Sequence, residues 1–166
     1  MENSIPALVI AAIMIFAAVL IAGATTSSVD NMNQSWREME AISEERLGTE
    51  LTVVSTQVDG TGTLVTAVVR NEGRTAIDDF AAMDIIANYP DAGSQRYINW
   101  LSYAEATLQD NTWTVASIAA DYRNPGVLDS GEQMTIEIQL NPAVGSAPER
   151  WLVLATETGV SYTVYF

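Results

Sequence analysis

Residues 5–24 read IPALVIAAIMIFAAVLIAGA, a segment without a single charged side chain. A helix rises about 1.5 Å per residue, so twenty residues span roughly 30 Å, the thickness of the hydrocarbon core of a bilayer. Pro6 falls in the first turn, where a helix tolerates proline because the N–H groups there have no intrahelical partner. The segment therefore predicts a helix that is apolar on all sides and needs lipid or other helices around it.

The apolar segment continues into an amphipathic one, from Thr25 to Leu47, and Gly48 is a helix stop signal. Large apolar residues recur there on one broad helix face, namely Val29, Met32, Trp36, Met39, Ile42 and Leu47. We therefore predict one helix of more than forty residues. The domain boundary is placed at Gly48-Thr49, with a helical domain at 1–48 and a second domain at 49–166.

The second domain alternates short strand-like segments with turns. Its clearest signal is the alternation of apolar and polar residues from Met134 to Leu140. The predicted strands are Leu51–Val58, Leu64–Arg70, Asp84–Asn88, Arg96–Leu101, Thr112–Ser117, Met134–Leu140, Arg150–Thr156 and Val160–Phe166. Seven or eight short strands without a helical period predict an antiparallel immunoglobulin-like β-sandwich, which makes the whole chain α+β.

Composition narrows the range of functions. The 166 residues include 21 acids and seven arginines, with no lysine, histidine or cysteine, and the net charge is −14. Such a charge argues against a nucleic-acid partner. The absence of cysteine excludes disulfides, and without histidine, cysteine or lysine no usual nucleophile–base pair can form. We therefore predict a protein that is not an enzyme and has no cofactor.

Carboxylates are the remaining candidates for catalytic or metal-binding side chains. Asp78, Asp79 and Asp84 could in principle serve glycoside hydrolysis, and together with Asp91 they could bind calcium. With 21 acids in the chain, adjacent pairs arise by chance, and no EF-hand spacing is present. The sequence therefore predicts neither a catalytic nor a metal site.

The apolar segment does not have the features of a secretory signal peptide. Glu2 is the only charged side chain before Asp30, so a basic leading region is missing, and the apolar run exceeds the usual 7–15 residues. A single-pass membrane anchor remains open as an interpretation.

Small residues recur along the predicted helix at four-residue spacing. Residues four apart share one face, and small side chains there let two helix backbones approach closely. The candidate residues for helix–helix assembly combine this small-residue stripe with large apolar neighbours: Ala7, Ala11, Ile13, Phe16, Ala18, Leu20 and Ala22. Asn33 lies in the sequence Asn33-Gln34-Ser35, the one N-glycosylation acceptor in the chain, although a helix is a poor place for it.

In architecture the whole chain resembles the archaeal type IV pilin-like superfamily, and archaellins in particular. Ile5–Ala24 carries the sharpest part of the likeness. Two further stretches, Val68–Gly73 and Leu128–Glu132, resemble turn signatures that are common in the sandwich domains of this superfamily. Bacterial type IV pilins have a glutamate at the fifth mature position, whereas this chain has Ile5, which favours the archaellin-like branch.

The resemblance implies a structural subunit of an extracellular helical filament that serves swimming motility. The subunit would wait in the membrane, processed by a leader peptidase so that Met1 is its first residue, and an assembly platform would add it to a homopolymer. The helices would then form the filament core and the sandwiches its sheath. Neighbouring sandwiches would touch through aromatic residues placed in loops: Trp100, Tyr103, Trp113 and Tyr122.

Two alternatives stay open at this stage. An adhesive archaeal-type pilus would be built in the same way from a similar subunit. A membrane-anchored β-sandwich that binds a ligand and never polymerises would need the apolar helix only as an anchor.

Overall fold

The computed structural model describes residues 4–146 and 149–166, with side chains described from Leu8 onward. A single helix, α1, spans Ser4–Gly48, in agreement with the predicted helix and its stop at Gly48. The chain divides into two compact units, one up to Ser43 and the other Glu44–Phe166. The last turn of α1 is thus part of the second unit.

Polar side chains that follow the apolar half of α1 are satisfied within the helix. The hydroxyls of Thr25 and Thr26 each donate a hydrogen bond to the carbonyl oxygen of Ala22, both at 2.9 Å. Threonine commonly bonds back to the preceding helical turn in this way. The helix therefore passes from its apolar to its polar half without leaving a hydroxyl unpaired at these two positions.

The described residues of the second unit form eight strands, one for each predicted strand. A short 3₁₀ turn at Phe80–Ala82 precedes the third strand, in a stretch where no helical structure was predicted. The strands are β1 (Leu51–Val58), β2 (Leu64–Asn71), β3 (Asp84–Pro90), β4 (Arg96–Tyr103), β5 (Thr112–Ala119), β6 (Gln133–Gln139), β7 (Trp151–Ala155) and β8 (Ser161–Tyr165).

The strands pair in the order β1-β2-β6-β5-β4-β3-β7-β8. All neighbouring pairs are antiparallel except β4–β5, which run parallel over two residue pairs, Ser102–Thr112 and Tyr103–Trp113. The two edges of this order also meet, because the Thr56 hydroxyl on β1 donates to the carbonyl oxygen of Tyr165 on β8 at 2.9 Å. The predicted α+β chain with a sandwich is confirmed, and the sandwich is close to a closed barrel.

The core lies between the β1-β2-β6-β5 half and the β4-β3-β7-β8 half. Alternate residues of β6 point inward, and the register sets Ile136 opposite Ala67 and Ile138 opposite Val65, all of them buried. Alternation of this kind is typical of a sheet with one face on the core and one in solvent. The apolar positions of Met134–Leu140 in the sequence are therefore the core-facing positions in the structure.

The aromatic residues require a correction to the sequence prediction. Trp100, Tyr103 and Trp113 lie on strands rather than in loops. Trp113 is fully buried, and Tyr103 packs edge-on against it with ring centroids 4.8 Å apart. The reason is the strand alternation, which turns Trp113 inward between two threonines that do not face the core, Thr112 and Thr114. Trp113 is a core residue and does not face a neighbouring subunit.

Candidate assembly site

The apolar half of α1 is exposed along its described length. Ten large apolar side chains there are half or more exposed: Leu8, Val9, Ile10, Ile13, Met14, Ile15, Phe16, Val19, Leu20 and Ile21. In the part of the chain that the structure describes, α1 is the one helix long and apolar enough to cross a membrane. A surface of this size cannot remain in water, so it marks an interaction site.

The candidate assembly residues fall on two opposite faces of α1. At 100° per residue, Ala11, Ala18 and Ala22 lie within about 40° of one another. By the same rule Ile13, Phe16 and Leu20 centre about 180° away. Ala7 belongs to the helix, but its side chain lies outside the described part. We call the first set the small-residue stripe and the second set the ridge.

The last turn of α1 is hydrogen-bonded into the sandwich. The carbonyl oxygen of Gly48 accepts from the backbone N–H groups of Arg74 at 2.8 Å and Thr75 at 3.1 Å. The Thr75 hydroxyl donates to the Glu45 carbonyl oxygen at 3.2 Å, and Nε of Arg46 donates to the Thr158 carbonyl oxygen at 2.7 Å. Helix-end carbonyls that would otherwise lack partners are thereby satisfied. Sequence reasoning missed this junction, because none of these residues carries a local signal for it.

A buried asparagine joins the two sandwich signatures seen in the sequence. Nδ2 of Asn71 donates to the carbonyl oxygens of Thr75 at 2.8 Å and Leu128 at 3.0 Å, while Oδ1 accepts from the Gly73 N–H at 3.0 Å. The Gly131 N–H donates to the Asn71 carbonyl oxygen at 2.7 Å. Val68–Gly73 and Leu128–Glu132 are therefore two sides of one hydrogen-bonded structure beside the helix junction.

Three of the four acids weighed for catalysis or calcium have structural partners. Asp79 accepts from the N–H of Ala82 at 3.1 Å, Asp84 accepts from the indole N–H of Trp100 at 2.8 Å, and Asp91 accepts from the N–H of Gly93 at 2.8 Å. Among the described side chains, no group of three or more acids is arranged to hold a metal ion.

Near the junction, the surroundings of Glu157 disfavour the ionised form of its side chain. Burial raises the pKa of Glu157, and the negative charges of Asp78, Asp79 and Glu45 raise it further. Acids crowded next to the helix end therefore oppose the ionised form of Glu157 at neutral pH.

Two predicted surface positions are exposed. Tyr122, in the loop between β5 and β6, is 90% exposed. Asn33 lies in the helical segment and is also exposed, so the structure places no protein atoms over this candidate glycosylation site.

Comparison with known proteins decides the family. The archaeal-type flagellin family matches residues 4–166. This chain belongs to the archaeal-type flagellins. Archaellins of this family are filament subunits, so the protein is a structural subunit of an extracellular cell-surface filament that serves swimming motility and forms by self-polymerisation. Among curated proteins, none matches this sequence.

Solved structures share the fold of this archaellin. The archaeal flagellum of Methanospirillum hungatei strain JF1 is similar over 99% of this chain and 92% of that one, with a TM-score of 0.61 and 14% identity. The archaellum periplasmic stator protein FlaG from Sulfolobus acidocaldarius is similar over 71% of this chain and 99% of that one, with a TM-score of 0.51 and 19% identity. Of these two structures, the filament structure is similar along nearly the whole chain and FlaG along 71% of it.

Proposed function

We propose that residues 1–48 form the core and stalk of the filament and that residues 49–166 form its outer domain. The small-residue stripe of one copy would receive the ridge of the next. The observation that carries this proposal is the placement of the two sets on opposite faces of a helix that is exposed along its described apolar half.

Because the stripe and the ridge lie on opposite faces of α1, contacts between them build a polymer rather than a closed dimer. A contact between two different surfaces is heterologous, and it generates an open helical filament when the rotation between copies does not close a ring. The stripe allows backbones to approach closely, so the ridge side chains can gain dispersion contacts. Each large side chain that leaves water contributes roughly 1.5–3 kcal/mol, which makes a permanent partner necessary.

We infer that the same half of α1 lies in the membrane before assembly. Its length and lack of charge suit a bilayer, and the intrahelical hydrogen bonds of Thr25 and Thr26 reduce the cost of placing that end near lipid. A leader peptidase and an assembly platform would process the subunit and transfer it to the filament. The helices would then exchange lipid for one another.

We propose further that the protein has no catalytic role. Asp79, Asp84 and Asp91 are each used in a local hydrogen bond, and the chain lacks histidine, cysteine and lysine. The acids instead give the outer domain a solvated surface.

The test compares two neighbouring alanines. Ala18 lies in the small-residue stripe, and Ala17 lies 100° away around the helix. We expect Ala18→Leu to reduce filaments sheared from the cell surface at least tenfold, because the added side chain blocks the approach of the next helix. The matched variant Ala17→Leu should assemble within about twofold of wild type, since it adds the same atoms off the stripe. Electron microscopy and mass spectrometry of the sheared fraction provide the measurement.

Membrane fractionation provides the control. Both variants should enter the membrane fraction as the wild type does, because leucine is at least as apolar as alanine. Normal filaments from Ala18→Leu would contradict the proposed core, and so would equal loss in both variants. If the wild-type chain stayed in the membrane and entered no filament, the helix would be an anchor only.

A further inference from the structure

The outer surface of the β4-β3-β7-β8 half carries a contiguous apolar patch. Its strand register aligns two rows of side chains across the strands: Trp100, Ile86, Val153 and Thr163 in one row, and Ile98, Asn88, Trp151 and Tyr165 in the next. Ile98 is 67% exposed, Trp100 61% and Tyr165 71%. We call the apolar members of these rows the apolar sheet face: Ile86, Ile98, Trp100, Trp151, Val153 and Tyr165.

The outer surface of the other half is polar. The corresponding positions on β2, β5 and β6 are occupied mainly by hydroxyl, amide and charged side chains: Thr66, Thr114, Thr135, Gln133, Glu137, Gln139 and Arg70. The usual alternation of apolar inward and polar outward residues therefore holds for one half of the sandwich and is interrupted in the other by the six residues of the apolar sheet face. The most extensive apolar patch on a protein surface is often a functional site.

Charge is also low on the apolar sheet face, in a chain of net charge −14. Its two rows contain no ionisable acid or base apart from the phenol of Tyr165. At the borders, the Asp84 carboxylate accepts the Trp100 indole N–H, and Arg96 pairs with Glu149 at 3.2 Å. A second strongly acidic molecule can approach this face with less repulsion than elsewhere.

We propose that the apolar sheet face binds the sandwich of a neighbouring copy in the filament. The face contributes six apolar side chains, far fewer than the roughly 20–30 residues per partner of a standard stable complex. The face is therefore too small to bind a second copy that is free in solution. It is sufficient for a copy that is already held nearby, and polymerisation through α1 supplies such copies at high effective concentration. The contact is heterologous, so the face meets a different surface of the neighbour.

This inference rests on the filament function, and single cysteines test it directly because the chain has none of its own. Ile98→Cys places a thiol on the apolar sheet face. Val54→Cys is the matched control, since Val54 is an apolar residue on β1 that is 48% exposed and lies in the other half. Each full-length variant is treated with a maleimide, once as intact filaments and once as subunits dissociated in detergent.

We expect labelling of Cys at position 98 to be at least tenfold slower in filaments than in dissociated subunits, and labelling at position 54 to change less than twofold. Equal rates at position 98 in the two states would overturn the inference while leaving the filament function intact. Equal protection at both positions would overturn it too, since the apolar sheet face would then have no special role. Failure of the wild-type chain to form any filament would instead overturn the filament function.

A charge at the same position gives a second readout. Ile98→Glu should lower the temperature at which filaments dissociate by at least 10 °C, because a carboxylate would be buried against an acidic neighbour. Val54→Glu adds the same charge in the other half and should leave that temperature within a few degrees of wild type. Filaments of Ile98→Glu as stable as those of Val54→Glu would overturn the inference.

Discussion

One residue near the helix junction, Asn71, makes several hydrogen bonds through both its side chain and its backbone. Asn71 is fully buried, and its amide and backbone join the turn after β2 to the loop before β6. A buried amide in such a position must satisfy both its donors and its acceptor, because each unpaired group would cost about 1–3 kcal/mol. Asn71, which belongs to the sequence signature Val68–Gly73, thus links two loops through hydrogen bonds.

Glu157 permits a test of the electrostatics at the junction. Its pKa lies above the 4.5 of an ordinary glutamate, so the folded state binds a proton more tightly than the unfolded state does. The free energy of unfolding therefore falls as the pH rises from about 4.5 through the raised pKa. We expect Glu157→Gln to be more stable than wild type at pH 7, by a few tenths of a kcal/mol after solvent screening. Thermal unfolding between pH 4 and pH 8 measures this.

The gain from Glu157→Gln should disappear as the pH falls below about 4.5, where both states of the wild type are protonated. Glu105→Gln, in an exposed loop, is the control and should shift the melting temperature by less than a degree. If Glu157→Gln were still as much more stable than wild type at pH 4 as at pH 7, the stabilisation would not be electrostatic.

At the scale of elements, the approach of α1 to the turn after β2 depends on Gly73. A Cβ on Gly73 would overlap the carbonyl oxygen of Gly48 and the backbone nitrogen of Glu50. We expect Gly73→Ala to lower the free energy of unfolding by about 1–3 kcal/mol, because two backbone segments would have to move apart. Chemical denaturation of the full chain in detergent, followed by tryptophan fluorescence, measures this change.

Gly60→Ala is the matched control for this prediction. Gly60 lies in the turn between β1 and β2, where a Cβ would meet nothing within 4 Å. Its replacement should change stability by less than 0.5 kcal/mol, as is usual for surface positions. Equal losses in both variants would mean that the close packing at Gly48 is unimportant.

The elements themselves were predictable, because each carries a local pattern. The uncharged run and the stop at Gly48 set the bounds of α1, and the alternation from Met134 to Leu140 identified β6. The parallel pairing of β4 with β5 and the burial of Trp113 were not predictable in this way. They depend on which strands meet across the sandwich, and no local pattern in the sequence records that choice.

The same distinction holds for the candidate sites. The helix residues Ala11, Phe16 and Ala18 could be selected from spacing alone, because a helix fixes which residues share a face. The apolar sheet face could not, since its members come from four strands and become neighbours only through the register. Its sequence signal was an unusual excess of apolar residues at outward strand positions, which is visible only once the inward positions are known.

For the molecule as a whole, the two units predict different solubilities. We expect a chain lacking residues 1–27 to be a soluble monomer, because the deletion removes the apolar half of α1 and retains the polar half of α1 with the acidic sandwich. Full-length protein should need detergent or polymerisation. Size-exclusion chromatography with light scattering measures the mass of the shortened chain, and large aggregates would contradict the expectation.

A longer deletion, of residues 1–48, provides the comparison. It also removes Arg46 and Gly48, so the hydrogen bonds to Thr158, Arg74 and Thr75 are lost. This chain should melt at least 5 °C below the one lacking residues 1–27. Equal melting temperatures would show that the last turn of α1 contributes nothing to the sandwich.

The attachment of that last turn has a mechanical consequence. Only Thr49 and Glu50 separate Gly48 from β1. Arg74 and Thr75 donate hydrogen bonds to the carbonyl oxygen of Gly48, and Tyr162 donates one to that of Thr49. A long flexible linker would let the sandwich turn freely relative to the last turn of α1. A two-residue connection that is held by hydrogen bonds restricts that motion. When a filament moves through liquid, viscous drag on the sandwich therefore acts directly on the last turn of α1.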